Sequence, residues 1–365
     1  MRSNTLLALA ILALIATPDT SCAGWVYDPD VMHFEVIDLA AGDQHTGAYS
    51  INDSGQAVGT IGLNHVLFDM TGQGSHVNLG AHMGPYPKAI CINDAGQIAW
   101  STGGQSRATF RESNGQSVEI GTMESYPFSI NNLGQVVGSD GYPVIRATLF
   151  DVTGQGDNRW LSFEFSRAWG INDEGQIVGE VNQQAASFDP TGNGDNLNLG
   201  TLGGEFSKAA CINDSGQIVG WAETSSGALH ATLFDPTGNG ENIDLGTLFG
   251  NSSAKSINED GVIVGSSHDG GTADSYRATL FTDEGPLDLN TLIGRRHERT
   301  LLRAYDINRD GWIAGQALYD DGLYHAIVLK PMSGAVPEPA TVLLLGLGAA
   351  YLRRKSRPRH YSVGS

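Results

Sequence analysis

The stretch Cys211-Ile212-Asn213-Asp214-Ser215-Gly216-Gln217-Ile218-Val219-Gly220 recurs in varied form along the chain and decides its fold. In each copy Ile comes directly before Asn, Gly follows three residues after the Asn, and a short run of mainly apolar residues ends the segment. The seven Ile positions are Ile51, Ile92, Ile130, Ile171, Ile212, Ile257 and Ile307. They are separated by 41, 38, 41, 41, 45 and 50 residues, so the chain is a tandem array of units of about 41 residues.

The segment around each Asn predicts a tight β-hairpin. The apolar and β-branched residues on either side of residues 213–216 suit strands. Asn and Asp hydrogen-bond to their own backbone, and Gly adopts a positive φ angle without steric strain, so Asn-Asp-Ser-Gly suits a turn. A catalytic site would not need seven copies of such a segment, so we interpret the repeated residues as structural.

Two further segments recur between the hairpins and extend each unit to four short strands. Residues 230–235 (HATLFD) are similar to residues 146–151 (RATLFD). After a Gly-rich turn, residues 242–248 (NIDLGTL) are similar to residues 196–202 (NLNLGTL). Four strands in about 41 residues correspond to one blade of a β-propeller.

The two ends of the array predict that it closes into a circle. Residues 34–39 (FEVIDL) precede the first hairpin and form a lone strand, whereas the seventh unit ends with residues 325–330 and lacks a fourth strand. Pairing of these segments would complete the last blade and leave no exposed sheet edge. We therefore predict an all-β, seven-bladed propeller closed by its terminal strands. An open β-solenoid is the alternative.

The first strand of each hairpin alternates between small and bulky side chains. Ala209 and Cys211 represent the small positions, three residues and one residue before the Ile. The residues between them are Tyr49, Ile90, Phe128, Trp169, Ala210, Lys255 and Tyr305. Because side chains alternate along a strand, we expect this second set to share a face with the Ile and to pack on the small face of the next blade. Lys255 and Asp306 break the pattern, so we expect an irregular interface between blades six and seven.

The repeats resemble the bacterial extracellular HAF repeats, which are named for a strand similar to His-Ala-Phe. His230-Ala231 and His325-Ala326 carry this resemblance, while other copies have Arg or lack the His. It extends over about residues 34–331 and implies an exported repeat protein with no known reaction.

The charge of the chain argues against nucleic-acid partners. The 365 residues have a formal net charge of −19, and most of the charged residues in the two terminal segments are basic. An acidic surface repels phosphate backbones, favours solubility and attracts cations.

The N-terminus has the features of a Sec-type secretory signal. Arg2 precedes an apolar run at residues 6–16, and the segment ends with a small residue, Cys22 and Ala23. We predict a signal peptide at residues 1–23 with cleavage after Ala23, followed by a lead-in at residues 24–33. Cys22 as a lipoprotein cysteine is the alternative.

The C-terminus, residues 332–365, has three parts in a characteristic order. Pro337, Glu338 and Pro339 come before an apolar run at residues 340–352, and a basic cluster follows at residues 353–357. The run is shorter than the roughly 20 residues of a typical membrane span, and the basic end would stay cytoplasmic. This segment resembles the PEP-CTERM sorting tail of Gram-negative bacteria. The resemblance implies transient inner-membrane anchoring, exosortase as a partner, cleavage near the Pro-Glu-Pro motif, and release to the surface. An ordinary tail anchor is the alternative.

The Cys and His residues form no recognisable reactive motif. Cys91 and Cys211 occupy the same position in two different repeats, where Ser or Gly stands in others, so we interpret them as small buried residues rather than a disulfide or metal pair. The ten His residues show no zinc-binding spacing. We predict no cofactor.

Three Gly-rich segments place oxygen-bearing side chains at alternate positions, as the start of an EF-hand loop does. Their candidate ligands are Asp151, Asp157, Asp189, Asn193, Asp195, Asp235, Asn239 and Glu241. None has the Glu that an EF-hand loop has at its twelfth position; Gly200 stands there in the loop that starts at Asp189. We interpret these segments as hairpin turns, with calcium sites as the alternative.

One basic cluster lies inside the array, in its longest inter-hairpin segment. It consists of Arg295, Arg296, His297 and Arg299. We interpret it as a solvated loop, with a contact for an acidic glycan as the alternative.

The sorting segments and the lack of catalytic motifs together predict a non-enzymatic exported protein. We expect a structural or interaction role at the cell surface or in the exopolysaccharide matrix, with polysaccharide or other envelope components as partners. The alternative is a polysaccharide-active hydrolase or lyase whose site lies at the mouth of the propeller.

Overall fold

The computed structural model describes residues 33–40, 44–71, 74–81, 90–103, 105–141, 143–294 and 299–332. Within them, 28 strands form seven four-stranded antiparallel sheets, each of which is one blade. The all-β, seven-bladed prediction is confirmed, and the open solenoid is excluded. The predicted signal peptide and the Pro-Glu-Pro segment lie outside the described residues.

The strands follow the order of the repeats. The chain starts with β1 (Phe34–Asp38). Blade 1 contains β2 (Thr46–Ile51), β3 (Ala57–Ile61), β4 (Asn64–Leu67) and β5 (Val77–Ala81). Blade 2 contains β6 (Ile90–Ile92), β7 (Ile98–Thr102), β8 (Arg107–Arg111) and β9 (Ser117–Glu119). Blade 3 contains β10 (Tyr126–Ile130), β11 (Val136–Asp140), β12 (Arg146–Phe150) and β13 (Arg159–Trp160).

The second half of the chain repeats the pattern. Blade 4 contains β14 (Ser166–Ile171), β15 (Ile177–Val181), β16 (Gln184–Phe188) and β17 (Leu197–Gly200). Blade 5 contains β18 (Gly203–Ile212), β19 (Ile218–Thr224), β20 (Leu229–Phe234) and β21 (Ile243–Asp244). Blade 6 contains β22 (Asn251–Ile257), β23 (Ile263–His268), β24 (Arg277–Thr282) and β25 (Gly285–Asp288). Blade 7 contains β26 (Arg299–Ile307), β27 (Ile313–Tyr319) and β28 (Tyr324–Pro331). Short 3-10 helices lie at Ala273–Ser275 and Leu289–Leu292.

The N-terminal strand completes the last blade, as the sequence predicts. β1 pairs antiparallel with β28, from Phe34 opposite Pro331 to Asp38 opposite Ile327. The strand order in this sheet is β1-β28-β27-β26, so the two ends of the array share one sheet. The circle is therefore closed by backbone hydrogen bonds.

The apolar core is divided among the interfaces between blades. Between blades 5 and 6, Val219 packs with Ala254 and Ile257. Between blades 7 and 1, Val328 packs with Ile51 in the same way, across the point of closure. The buried apolar residues of each blade are thus covered by the next blade, and a single blade has no core of its own.

The repeated turn has the geometry expected from its residues. Gly216 N donates to Asn213 O at 3.0 Å, and Asn213 N donates to Gln217 O at 3.1 Å. Across the seven turns the Gly has φ between 75° and 81°, the left-handed region in which only Gly is free of strain. This is a type I turn followed by a Gly bulge, a common three-residue hairpin connection.

The predicted packing of the bulky residues in the innermost strands is wrong, because a second bulge breaks the alternation. In blade 5 the register shifts between Ala209 and Cys211, so Ala210 has no partner in the ladder. Equivalent shifts leave out Tyr49, Phe128, Trp169, Lys255 and Tyr305. A bulge of this kind turns a side chain away from the regular face. These side chains line the central axis.

The bulge explains the Gly that follows Val219 in the repeat. Gly220 lies opposite Ala209, and a Cβ atom there would overlap the backbone oxygen of Lys208. The same overlap with the innermost strand occurs at Gly59, Gly138, Gly179, Gly265 and Gly315. The innermost strand approaches its neighbour too closely at the bulge for any side chain to fit.

The interface between blades 6 and 7 differs from the others, but for another reason than expected. The 3-10 helix Leu289–Leu292 places two buried Leu side chains in this layer, together with Phe34 from the N-terminal strand. Asp306 lies outside the apolar layer and accepts a hydrogen bond from Ser256 Oγ at 2.8 Å.

Replacing Gly220 by Ala should destabilise the propeller by about 3 kcal/mol, because the backbone must move to accommodate the new Cβ. Gly250→Ala is the matched control, since the nearest atom to a Cβ at that position is 3.9 Å away. Urea unfolding followed by circular dichroism measures both variants. Equal midpoints for the two would contradict the close approach at the bulge.

Candidate functional site

The strand directions define two faces of the propeller. Each innermost strand ends at a repeated Asn turn, so all these turns lie on one side, which we call the turn face. The connections from the outermost strand of one blade to the innermost strand of the next lie on the opposite side, which we call the mouth face. The axis of the propeller runs between the two.

The seven Asn side chains form a closed ring of hydrogen bonds beneath the turn face. Each is 2–4% exposed, and its Nδ2 donates to the backbone oxygen of the Asn in the next blade at 2.9–3.1 Å. The last bond runs from Asn308 to Asn52 and crosses the closure of the chain. Each Oδ1 accepts the backbone N–H four residues later, as from Gln217 to Asn213 at 2.9 Å. The repeated Asn therefore joins blades as well as forming turns.

The residues after these Asn add an outer ring of hydrogen bonds. Asp53 N donates to Asp94 Oδ1 at 2.7 Å, and Arg309 N donates to Asp53 Oδ1 at 2.9 Å. Burial raises the pKa of Asp53 and of Glu259 in this ring. Nowhere in the described part of the chain do three or more His, Cys, Asp or Glu residues come close enough to hold a metal ion. The geometry thus gives these carboxylates a role in joining blades.

The calcium candidates lie in loops on the turn face, where each first Asp is hydrogen-bonded within its own loop. Asp189 accepts from Thr191 N, Thr191 Oγ1 and Asn193 N, and these bonds lower its pKa. The same arrangement occurs at Asp151 and Asp235, whose carboxylates also accept from the backbone N–H of Asp157 and of Glu241, respectively. The side chains of Asn193 and Asn239 donate to the Thr of their own loops. The geometry supports the interpretation of these segments as turns; Asp195 is also part of such a loop.

A central cavity runs along the axis and opens at the mouth face. Its inner part has a volume of about 220 Å³ and is lined by all seven blades, each contributing its residue at the bulge position or, in blade 2, Ile90. Its outer part has a volume of about 560 Å³ and lies at blades 1, 5, 6 and 7. Tyr49, Lys255 and Tyr305 line both parts, so the two are continuous.

The outer part of the cavity is cationic although the protein is acidic. Lys255, Arg303 and His268 line it, and no carboxylate is among the described residues of its wall. Arg303 is held by a hydrogen bond from Nη1 to Gln316 Oε1 at 3.4 Å, and its guanidinium carbon lies 3.9 Å from the centre of the Tyr276 ring. Arg303 thus lines the cavity with its guanidinium on an aromatic face, and no carboxylate among the described residues forms an ion pair with it.

Aromatic rings form much of the remaining wall. Tyr49 and Tyr305 meet edge to face with their ring centres 5.1 Å apart. On the other side of the axis Phe128 and Trp169 stack at 4.1 Å, and Lys208 Nζ lies 3.3 Å from the centre of the Trp169 ring. Burial raises the pKa of Tyr305 to about 12, so its hydroxyl is protonated at neutral pH.

The inner part of the cavity contains the one carboxylate and both thiols of the described wall. Asp306 accepts hydrogen bonds from Ile51 N at 2.9 Å and Ser256 Oγ at 2.8 Å, and burial raises its pKa. Cys91 and Cys211 are free, and burial raises the pKa of the Cys211 thiol to about 11. Protonated, buried thiols are poor nucleophiles and poor metal ligands.

The cavity brings together residues that the sequence kept apart. Lys255 is singled out in the sequence only as an irregularity, and Arg303 and His268 are missed altogether. The available signal is the Gly opposite the bulge, which marks one axial residue in six of the seven repeats. Of the predicted basic cluster, Arg295, Arg296 and His297 lie outside the described residues, whereas Arg299 begins β26.

The comparisons with known proteins identify the C-terminal segment. A model of the PEP-CTERM protein-sorting motif matches residues 335–356. The protein is therefore secreted, held at the membrane by its C-terminal segment before processing, and sorted by exosortase to the surface. No curated protein matches the sequence. None of these findings tests the HAF-repeat resemblance, which stays a prediction.

Two solved structures are similar to the chain at low identity. A streptogramin B lyase has a TM-score of 0.32 and 12% identity, and the match covers 81% of this chain and 87% of that one. A gluconolactonase candidate has a TM-score of 0.38 and 12% identity, with 82% and 94% covered. At such low identity and TM-score, neither similarity says anything about activity. Among the described residues, no helix is long and apolar enough to span a membrane.

His268 should report the positive charge of the mouth. Burial lowers its pKa from the ordinary 6.5, and the charges of Arg303 and Lys255 lower it further. Because the folded protein then binds this proton less tightly than the unfolded chain, acidification below pH 6.5 removes stability through this group. In an NMR titration the pKa of His268 should rise in Arg303→Met. An unchanged pKa would show that the guanidinium charge does not reach the imidazole.

Proposed function

We propose that this is a non-enzymatic interaction protein of the cell surface or exopolysaccharide matrix, which binds polysaccharide across its mouth face. It is exported through Sec in a Gram-negative bacterium, anchored transiently by residues 340–352, and cut by exosortase near residues 337–339. The observation that carries the proposal is the arc of exposed aromatic side chains around the mouth of a polar axial cavity.

These aromatic side chains lie on neighbouring connections of the mouth face. Phe163 and Phe165 precede β14, Phe206 lies at the start of β18, and Phe249 precedes β22. Their exposures are 69%, 38%, 39% and 47%. Blades 4, 5 and 6 thus present rings along one arc, which suits an extended ligand. The electron-rich face of an aromatic ring attracts the weakly positive C–H groups of a sugar ring.

The C-terminal strand ends on the side of the propeller opposite the mouth face. β28 runs from the mouth face to the turn face, where Lys330 Nζ lies 4.6 Å from the centre of the Trp312 ring beside the last Asn turn. The last described residue, Met332, directly follows this strand. The mouth face is therefore the face away from the end of the described chain.

The lining of the cavity offers little for the alternative of a hydrolase or lyase. Glycoside hydrolysis commonly uses two carboxyl groups that flank the reacting bond. Asp306 is the one carboxylate among the described lining residues, and it accepts hydrogen bonds from the backbone of Ile51 and Ile307. These bonds give it a role in joining blades, which supports the non-enzymatic proposal.

Co-sedimentation of the processed protein with exopolysaccharide from the producing organism tests the proposal. We expect retention of the wild type and a loss of affinity of about thirtyfold in Phe206→Ala/Phe249→Ala, because each of the two rings contributes about 1 kcal/mol. Leu133→Ala is the matched control, since Leu133 is an exposed apolar residue of the turn face.

Equal retention of the double variant and the wild type would remove the mouth face from the binding surface. If no polysaccharide or other envelope component retained the wild type, the proposed function itself would be contradicted.

A further inference from the structure

The outer cavity is large enough to enclose part of a ligand that lies across the mouth face. Its volume of about 560 Å³ falls within the range of about 300–1,000 Å³ that is typical of small-molecule sites. It opens on the same side as the exposed rings of Phe206 and Phe249. A polysaccharide bound to that arc would therefore place one of its sugars, or a side group, at the entrance.

The charge of this cavity is opposite to that of the protein as a whole. The chain has a formal net charge of −19, yet Lys255 and Arg303 face a space whose described wall contains no carboxylate. An acidic protein disfavours anions in general, and a cavity with two cations and no carboxylate in its described wall is an exception to that overall charge. Such a wall favours a ligand that carries negative charge.

The way Arg303 is held favours a planar anion. Gln316 Oε1 and the Tyr305 hydroxyl hydrogen-bond to its guanidinium, and the Tyr276 ring lies beneath it at 3.9 Å. Gln316 is itself fixed, because its Nε2 donates to Thr46 O at 2.8 Å. These neighbours are uncharged, and no carboxylate of the described chain forms an ion pair with Arg303. A fixed guanidinium with its charge available matches the two oxygens of a carboxylate.

The other wall residues suit a sugar ring better than an inorganic ion. Tyr49 and Trp221 present aromatic surface, while Ser252 and Ser253 add hydroxyl groups to the same wall. Deeper along the axis the buried indole N–H of Trp169 has no hydrogen-bond partner in the described protein, so it is a donor without an acceptor. An oxygen-rich ligand would supply one.

We propose that the outer cavity binds the carboxylate of an acidic sugar, with Lys255 and Arg303 as its cationic ligands. The inference rests on the proposed polysaccharide-binding function and names its ligand class: a polymer that contains uronic acid residues. The pKa of His268 agrees with a cationic wall: burial is the largest cause of its lowering, and the charges of Arg303 and Lys255 lower it further. His268 is thus neutral beside a carboxylate at pH 7 and becomes cationic on acidification.

Isothermal titration calorimetry on the processed protein tests the inference with trigalacturonate as the probe and the neutral galactose trisaccharide as its uncharged counterpart. We expect the acidic trisaccharide to bind at least about tenfold more tightly, since a charge-assisted hydrogen bond contributes about 1.5–3 kcal/mol. Raising the NaCl concentration from 0.05 to about 0.5 M should weaken binding of the acidic probe and leave that of the neutral one unchanged. This comparison needs no variant, so it does not depend on any substitution folding correctly.

The variants Lys255→Met and Arg303→Met should each lose about tenfold in affinity for trigalacturonate while keeping the wild-type circular dichroism spectrum. Arg107→Gln is the matched control, because Arg107 is a half-exposed cation of blade 2 that pairs with Glu119 at 3.2 Å, outside the cavity. Equal binding of the acidic and neutral probes would overturn the inference, and so would binding of inorganic phosphate with no binding of trigalacturonate.

The outcomes also separate this inference from the proposed function. If trigalacturonate bound but no polysaccharide were retained, the acidic-sugar site would stand and the matrix role would fail. If polysaccharide were retained but its binding did not depend on Lys255 or Arg303, the matrix role would stand and the acidic-sugar site would fail.

Discussion

The buried carboxamide of the repeated Asn is the interaction on which the propeller depends. Its Oδ1 fixes the turn and its Nδ2 reaches the backbone of the next blade, so one side chain performs a local and a long-range task. Asp lacks the donor that this requires, and a hydroxyl group has its donor and its acceptors on a single atom, so it cannot reach both partners as the two separate atoms of the carboxamide do. Each bond contributes about 1 kcal/mol net, but a lost partner leaves a buried polar group at a cost of about 1–3 kcal/mol. Seven such bonds in a circle make every blade depend on both neighbours.

Each repeat contains residues that fix the backbone and one residue that lines the central cavity. The Asn and the turn Gly hold the backbone in every blade, and in six blades a bulge with a Gly opposite it directs one residue to the axis. That residue is the variable one, ranging from Ala210 to Trp169 and Lys255. The surrounding backbone determines the shape of the cavity, and the identity of this residue determines the charge and polarity of its wall. The cationic wall of Lys255 and Arg303 thus arises in an acidic protein without any change to the repeated backbone structure.

The fold was predictable because its determinants are local and repeated. The turn of Asn213–Gly216, the four strands per unit and the unmatched strand at Phe34–Asp38 all follow from residues close together in sequence. The direction of the axial side chains was not predictable from the alternation of residues, because one unpaired residue reverses that alternation along a strand. Gly220 carried the signal, since a Gly in a regular strand indicates a bulge or close backbone approach. The pairing of Lys255 with Arg303 in one cavity joins residues of different blades, and no local pattern encodes it.

The seven blades form a circle that is closed by pairing of Phe34–Asp38 with Tyr324–Pro331. Hydrogen–deuterium exchange of the processed protein, followed by mass spectrometry of the peptide that contains Phe34–Asp38, reports on this pairing. A strand paired with Tyr324–Pro331 should exchange as slowly as Leu197–Gly200, which is the outermost strand of blade 4 and is likewise paired on one side. Exchange of the N-terminal peptide within seconds, while Leu197–Gly200 remained protected, would show an open array.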